Sequence, residues 1–219
     1  MESGPPTTTT KFKNGLVGYC KPGFEPVLQH MEKLFKAGQD THSQLCIYVG
    51  SEVVVDIYGK VQEASKKAPA YNGDTLQCIF SSGKPVASIL LGMLAAQGLL
   101  SFDDKISQHW PEFAQNGKEN ITVKDLMRHE AGLHALKYGL ESKSLLTESI
   151  KQNSVGWVIE VTESMNPPGH KRIYHKLTRD WVANEIFRRV EPQRRTMGEY
   201  MKDFFCKDFG LNIVLGATE

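Results

Sequence analysis

Apolar residues recur every three to four positions in several segments, the spacing that places them on one face of an α-helix. The first such segment covers residues 24–35, and Gly38 after it predicts the end of the helix. Thr122 and Asp125, three residues apart, predict a capping box at the start of a short helix. The predicted longer helices cover residues 24–35, 85–97, 177–190 and 197–205.

Two short apolar runs, residues 45–49 and 53–58, predict β-strands, and Gly50-Ser51-Glu52 between them suits a tight hairpin turn. A two-stranded hairpin is marginally stable in water, so it needs further strands, and few others are obvious in the sequence. Residues 1–14 are polar and rich in proline and threonine, which predicts a flexible tail. Residues 15–219 are assigned to one domain.

Composition excludes several classes of function. The 219 residues carry a formal net charge of +1, without a basic stripe for nucleic acid or a polybasic run for an anionic membrane. The longest apolar stretch, residues 86–100, is interrupted by polar side chains and is shorter than the roughly 18–20 residues of a membrane span. The expected partner is therefore a small molecule or another protein.

The N-terminal residues show no secretory signal pattern, which favours a cytosol-like compartment. The four cysteines are scattered and form no CxxC pair, so reduced thiols are expected. A disulfide framework and a thiolate metal site are not expected. The histidines show no HExxH spacing. The sequence therefore predicts no metal.

Ser81 and Lys84 form an S-x-x-K tetrad just before the apolar helix predicted over residues 85–97. Such a tetrad occurs on the order of once by chance in a chain of this length, so a helix-capping serine beside a surface lysine is an equal alternative on the tetrad alone. The helix N-terminus favours a nucleophile, because its free N–H groups and dipole stabilise negative charge. Lys84 lies one turn further along the same face, where burial in an apolar environment would help it act as a base.

Further motifs occur in order around this tetrad: residues 71–75 (YNGDT), 98–104 (GLLSFDD), 110–113 (WPEF) and 121–133 (ITVKDLMRHEAGL). Together they resemble the beta-lactamase-related serine hydrolase family, which contains class C beta-lactamases, penicillin-binding peptidases, carboxylesterases and LACTB-type proteins. The resemblance runs from Gly15 to the end of the chain.

The resemblance implies roles for other residues. The family's second motif is a tyrosine followed two residues later by asparagine, and Tyr174 matches that tyrosine. Tyr174 would relay a proton between Ser81, Lys84 and the leaving group; the alternative is a packing tyrosine in a loop. Lys176 stands where asparagine is usual, as a candidate for substrate binding or as an outward-pointing side chain. His129 matches a histidine that is mainly structural in the family.

The family's third motif, Lys- or His-x-Gly on a later inner strand, is not found after Tyr174. Residues 137–139 (KYG) have the letters but precede the tyrosine, so the match is treated as coincidence. By resemblance the fold is α+β, of the beta-lactamase/penicillin-binding-protein type, with an antiparallel sheet, flanking helices and an all-helical lobe. This chain is expected to lack the C-terminal strands and to be mostly helical.

The function implied is hydrolysis through an acyl-enzyme, with Ser81, Lys84 and Tyr174 as the catalytic residues and a small-molecule ester, amide or lactam as the acyl substrate. No cofactor is implied. Two alternatives stay open: a non-catalytic interaction module of the same ancestry, and an inactive truncated fragment. The natural substrate and the oligomeric state are not determined by the sequence.

Overall fold

The computed structural model describes residues 9–60 and 71–216. The chain divides into two compact units, residues 1–77 and 78–219. The first unit contains a sheet and one long helix, and the second unit contains helices and turns. The predicted α+β class is thereby confirmed.

The first unit is a four-stranded antiparallel sheet with strand order β1-β2-β4-β3. The α1 helix contributes Met31 and Phe35 to a core that also contains Val55 and Ile57 of β4. The elements are β1 (Thr10–Lys11), β2 (Leu16–Cys20), α1 (Glu25–Lys36), β3 (His42–Val49) and β4 (Glu52–Lys60).

The predicted hairpin is confirmed as β3 and β4, which are longer than expected and are joined at Gly50 and Ser51. Gly50 has φ +63°, which glycine adopts without strain. The additional strand that the hairpin needs is β2, which pairs with β4 and was not recognised in the sequence. Gly18 breaks the apolar pattern of β2, and a side chain there would lie 2.1 Å from the Asp56 carbonyl oxygen.

The end of the flexible tail predicted over residues 1–14 falls within the described residues. Thr10 and Lys11 form β1, which pairs with Gly18 and Val17, because backbone groups at this edge of β2 are available for pairing. Residues 1–8 of the predicted tail lie outside the described residues.

The second unit is built from helices around one apolar core. The fully buried Trp110, Phe113, Leu90, Leu91 and Phe187 are among the largest side chains of this core. The helices are α2 (Lys84–Ala96), α3 (Ile106–His109), α4 (Val123–Met127), α5 (Thr147–Lys151), α6 (Ser154–Val161), α7 (Thr178–Val190), α8 (Met197–Tyr200), a π-helix (Met201–Cys206) and α9 (Lys207–Phe209). Turns of 3₁₀-helix lie at Phe80–Gly83, Pro111–Phe113 and Ser142–Leu145.

The helices predicted over residues 85–97 and 177–190 are confirmed as α2 and α7. The capping box is also confirmed: Thr122 Oγ1 accepts from the Asp125 N–H, and the Asp125 carboxylate accepts from the Thr122 N–H at 2.9 Å. The predicted helix over residues 197–205 is instead α8 followed by the π-helix and α9. Gly210 ends it with φ +63°.

Candidate active site

Ser81 lies in the 3₁₀ turn Phe80–Gly83, immediately before α2. The Lys84 N–H donates to the Ser81 carbonyl, so the serine precedes the first residue of α2 instead of occupying it. Phe80 has φ +46° and its side chain is 84% exposed. Positive φ in a bulky residue is strained, and such strain is concentrated at functional sites. The turn presents Ser81 at the surface of the second unit.

Tyr174 contacts Ser81 directly, although the two residues are distant in sequence. The Tyr174 hydroxyl donates a 2.6 Å hydrogen bond to Ser81 Oγ. The Tyr174 side chain is 51% exposed, so this contact lies at the surface. The alternative interpretation, a tyrosine used only for packing, does not explain a short polar contact with the candidate nucleophile.

Lys84 is buried, as the sequence predicts, but its ammonium has polar partners. Lys84 Nζ donates to the Lys176 carbonyl at 2.7 Å and to an Asp180 carboxylate oxygen at 3.0 Å. The same nitrogen lies 5.5 Å from the centroid of the Tyr174 ring. Tyr174 is therefore the group that contacts both members of the S-x-x-K tetrad.

Asp180 and Arg179, in the first turn of α7, were missed in the sequence. The Asp180 carboxylate accepts from Arg179 Nε at 2.8 Å and lies 2.7 Å from Arg179 Nη2, besides binding Lys84. Arg179 Nη2 also donates to the Lys84 carbonyl at 2.7 Å. Arg179 thus fixes both the backbone of Lys84 and the carboxylate that binds its ammonium.

Lys176 contributes to the site through its backbone. Its carbonyl oxygen binds Lys84, while its side chain is exposed. The structure therefore places Lys176 next to the tetrad. The predicted contact of its ammonium with substrate stays a prediction.

The segment that carries Tyr174 is held by residues 129–133, part of the motif that the sequence singled out. The Ile173 N–H donates to the His129 carbonyl at 3.0 Å, and the His175 N–H donates to His129 Nδ1 at 3.0 Å. The Leu133 N–H donates to His175 Nε2 at 2.9 Å. These bonds fix the backbone on both sides of Tyr174.

The two histidines in this scaffold are electrostatically suited to remain neutral. Burial lowers the pKa of His175 to about 4, opposed by its hydrogen bond to the Ile173 carbonyl. Burial, with the nearby charges of Arg179 and Lys84, also lowers the pKa of His129. The centroids of the His129 and Tyr174 rings lie 5.0 Å apart. This position is consistent with the structural role implied by the resemblance.

Within residues 9–60 and 71–216, no group of three or more His, Cys, Asp or Glu side chains is arranged to hold a metal ion. No helix in the described part of the chain has both the length and the apolar composition needed to cross a bilayer.

Comparison with known proteins places the chain in a family. The family model described as Beta-lactamase matches residues 31–212, and the chain belongs to that family. It is 27% identical over 176 residues to the esterase/beta-lactamase LipL of Mycobacterium tuberculosis, covering 79% of this chain and 39% of LipL.

Solved structures support the same fold. A penicillin-binding protein homolog from Caulobacter crescentus matches with a TM-score of 0.80 and 30% identity over 93% of this chain and 53% of that one. A family VIII carboxylesterase matches with a TM-score of 0.72 and 28% identity, over 84% of this chain and 48% of that one. The fold is of the beta-lactamase/penicillin-binding-protein type, as the resemblance implied. The chain spans about half the length of these solved relatives, and less of LipL.

Proposed function

We propose that the chain carries the nucleophilic part of a serine hydrolase that works through an acyl-enzyme. The observation that carries this proposal is the 2.6 Å hydrogen bond between Tyr174 and Ser81 Oγ, beside a buried Lys84. A nucleophilic serine needs an adjacent group that removes its proton, held in place by a third group. In this proposal Tyr174 is the group that removes the proton. Lys84 Nζ lies 5.5 Å from the centroid of the Tyr174 ring.

In the acylation step, the reacting form has Tyr174 as a phenolate beside the Lys84 ammonium. Ser81 Oγ attacks the substrate carbonyl carbon, and its proton moves to the phenolate oxygen, which becomes a hydroxyl. In this form the hydrogen bond between Tyr174 and Ser81 runs from the serine hydroxyl to the phenolate, because a phenolate oxygen accepts and cannot donate. Lys84 and Tyr174 then deliver the proton to the leaving group. A water molecule attacks the Ser81 ester, loses a proton to the same pair of residues and regenerates the serine.

Charge stabilisation in this scheme comes from the 3₁₀ turn before α2 and from Lys84. The backbone N–H of Ser81 is one donor to the oxyanion that forms on the substrate, and such donors are typically worth about 3–4 kcal/mol of transition-state stabilisation. Lys84 stabilises negative charge on the Tyr174 oxygen while the proton moves. Asp180 and the Lys176 carbonyl keep its ammonium in position.

The substrate class is a small molecule with an ester, amide or lactam carbonyl. The carboxylesterase and the esterase/beta-lactamase among the similar proteins support this class. The mechanism needs no metal or organic cofactor, because Ser81, Lys84 and Tyr174 supply the nucleophile and the proton relay. Lys176 is a candidate contact for the substrate, since it is exposed and adjacent to the site.

Turnover of chromogenic substrates tests the proposal. The chain and its Ser81→Ala variant are given p-nitrophenyl acetate, p-nitrophenyl butyrate and nitrocefin, and intact mass is recorded after rapid acid quenching. We expect Ser81-dependent release of chromophore from at least one of them, and an added acyl mass on the unsubstituted chain. Equal background rates and no acyl mass on a folded chain would favour the non-catalytic alternative.

A further inference from the structure

The second unit contains a cavity of about 310 Å³ between α2 and α7, lined also by residues from the C-terminal part of the described chain. This α2–α7 cavity is at the lower end of the size range for small-molecule sites. The proton relay described above does not use it.

The α2–α7 cavity is lined in part by the turn that carries the nucleophile. Phe80 and Gly83 line it, and both belong to the 3₁₀ turn that carries Ser81. Asp180, whose carboxylate binds Lys84, also lines it. The acyl part of a substrate whose carbonyl is bound at Ser81 would therefore lie near the cavity.

The cavity wall is mainly apolar, and its residues include Ala87, Ile150, Trp181, Met197 and Leu215. Two of the polar side chains in the wall, those of Asn184 and Thr196, have partners inside the protein. Asn184 Oδ1 accepts from the Met197 N–H at 2.8 Å, and Thr196 Oγ1 contacts the Glu199 carboxylate at 3.1 Å.

The Asp180 carboxylate is occupied by Lys84 and Arg179. A charged or strongly polar occupant would lose its hydration without gaining a charged partner, whereas an apolar chain gains by leaving water.

We propose that the α2–α7 cavity binds the apolar chain of the substrate's acyl group, so that the preferred substrate is an ester of a medium-length aliphatic acid. The proposal rests on the proposed function of Ser81 and extends it to the class of acyl group. Short acyl groups would leave the cavity unfilled and gain no affinity from it. Chains with a charged end would be disfavoured.

Binding can be measured without turnover in the Ser81→Ala variant. Trp181 lies in the cavity wall, so tryptophan fluorescence is titrated with methyl octanoate and, as a matched short-chain control, with methyl acetate. We expect a saturable change with methyl octanoate only. A further Trp181→Phe substitution should remove the change, which assigns the signal to the cavity.

Two variants at Ile150 alter the size of the cavity in opposite directions. Ile150→Trp should weaken methyl octanoate binding at least tenfold by filling the space, while Ile150→Ala should shift the preference toward methyl decanoate. Near-ultraviolet circular dichroism checks that both variants are folded. Because they change the volume in opposite senses, loss of stability in one does not reproduce the expected pair of results.

The outcomes separate this inference from the proposed function. Absence of saturable binding, or binding unaffected by Ile150→Trp, overturns the acyl-chain site even if Ser81 is reactive. Cavity-specific binding together with an unreactive Ser81 keeps the site and overturns the hydrolase.

Discussion

The ammonium nitrogen of Lys84 lies 3.0 Å from a carboxylate oxygen of Asp180, 96 residues further along the chain. Lys84 also donates to the Lys176 carbonyl, at the position next but one after Tyr174. The lysine that the S-x-x-K spacing singles out is therefore fixed by two groups that follow the tyrosine motif. The same nitrogen lies 5.5 Å from the centroid of the Tyr174 ring.

We expect Asp180→Asn to slow acylation of Ser81 at least tenfold, because Lys84 loses the charged partner that holds it beside Tyr174. Small displacements of a catalytic group are costly for the rate. The measurement is the second-order rate of labelling by a fluorophosphonate, followed by intact mass. Asp203→Asn, at an exposed carboxylate paired with Arg195, is the control and should label at the unsubstituted rate. Equal rates for Asp180→Asn would show that the ion pair is not needed.

Tyr174→Phe removes the hydroxyl that contacts Ser81 and keeps the ring. We expect labelling of Ser81 to fall by about 10²-fold or more, the usual contribution of a positioned proton-transfer group. Thermal stability should change little, because the hydroxyl lies at the surface. Tyr138→Phe, at a half-exposed tyrosine stacked on Trp157, is the control and should leave labelling unchanged. Normal labelling of Tyr174→Phe would remove Tyr174 from the proposed relay.

The sequence predicted those features that depend on local spacing. The helix after Ser81, the capping box at Thr122 and the hairpin β3–β4 were all recognisable, because each is defined by residues close together in the chain. Two other features, strand β2 and the role of Asp180, were not recognisable in the sequence. Strand β2 was hidden because Gly18 interrupts its apolar pattern. Asp180 resembled an ordinary solvent-facing charge in the first turn of a helix.

The partnership of Asp180 with Lys84 is set by how α2 and α7 pack. The pairing of Tyr174 with Ser81 was predicted from the resemblance of whole motifs to the family. The local pattern of residues did not predict it. The structure then supplied the geometry, a 2.6 Å contact between the two hydroxyls.

His175 makes folding stability depend on pH. Burial lowers its pKa to about 4 in the folded chain, below the usual value near 6.5, so the unfolded chain binds a proton first as the pH falls. Stability contributed by neutral His175 is present above about pH 6.5 and is lost as the pH falls toward 4. We expect the free energy of unfolding in urea to fall by about 1–2 kcal/mol from this group between pH 7.5 and pH 5.

Two variants isolate this effect. His175→Gln removes the buried histidine, and His170→Gln, which removes an exposed histidine, is the control. His175→Gln should flatten the pH dependence by about the same 1–2 kcal/mol, while His170→Gln should leave it unchanged. Parallel pH profiles for all three chains would mean that His175 is not the titrating group.

Lys118 is a buried cation in the second unit with a structural function. Its ammonium donates to the carbonyls of Gln115, Glu160 and Thr162, and burial lowers its pKa to about 8. Lys118→Met keeps the volume but leaves buried carbonyls without a donor, so we expect a loss of about 2–4 kcal/mol in unfolding free energy. Lys171→Met, at an exposed lysine, is the control and should change stability by less than about 0.5 kcal/mol. A loss below about 1 kcal/mol for Lys118→Met would show that water replaces the ammonium.

The central claim is that Ser81 is an activated nucleophile, and fluorophosphonate labelling of the full chain beside Ser81→Ala tests it most directly. Both proteins are checked for folding by circular dichroism, labelled, and analysed by intact mass. The account predicts a single adduct on the unsubstituted chain and none on Ser81→Ala. A folded chain that takes up no adduct, or an adduct that persists in Ser81→Ala, would contradict it.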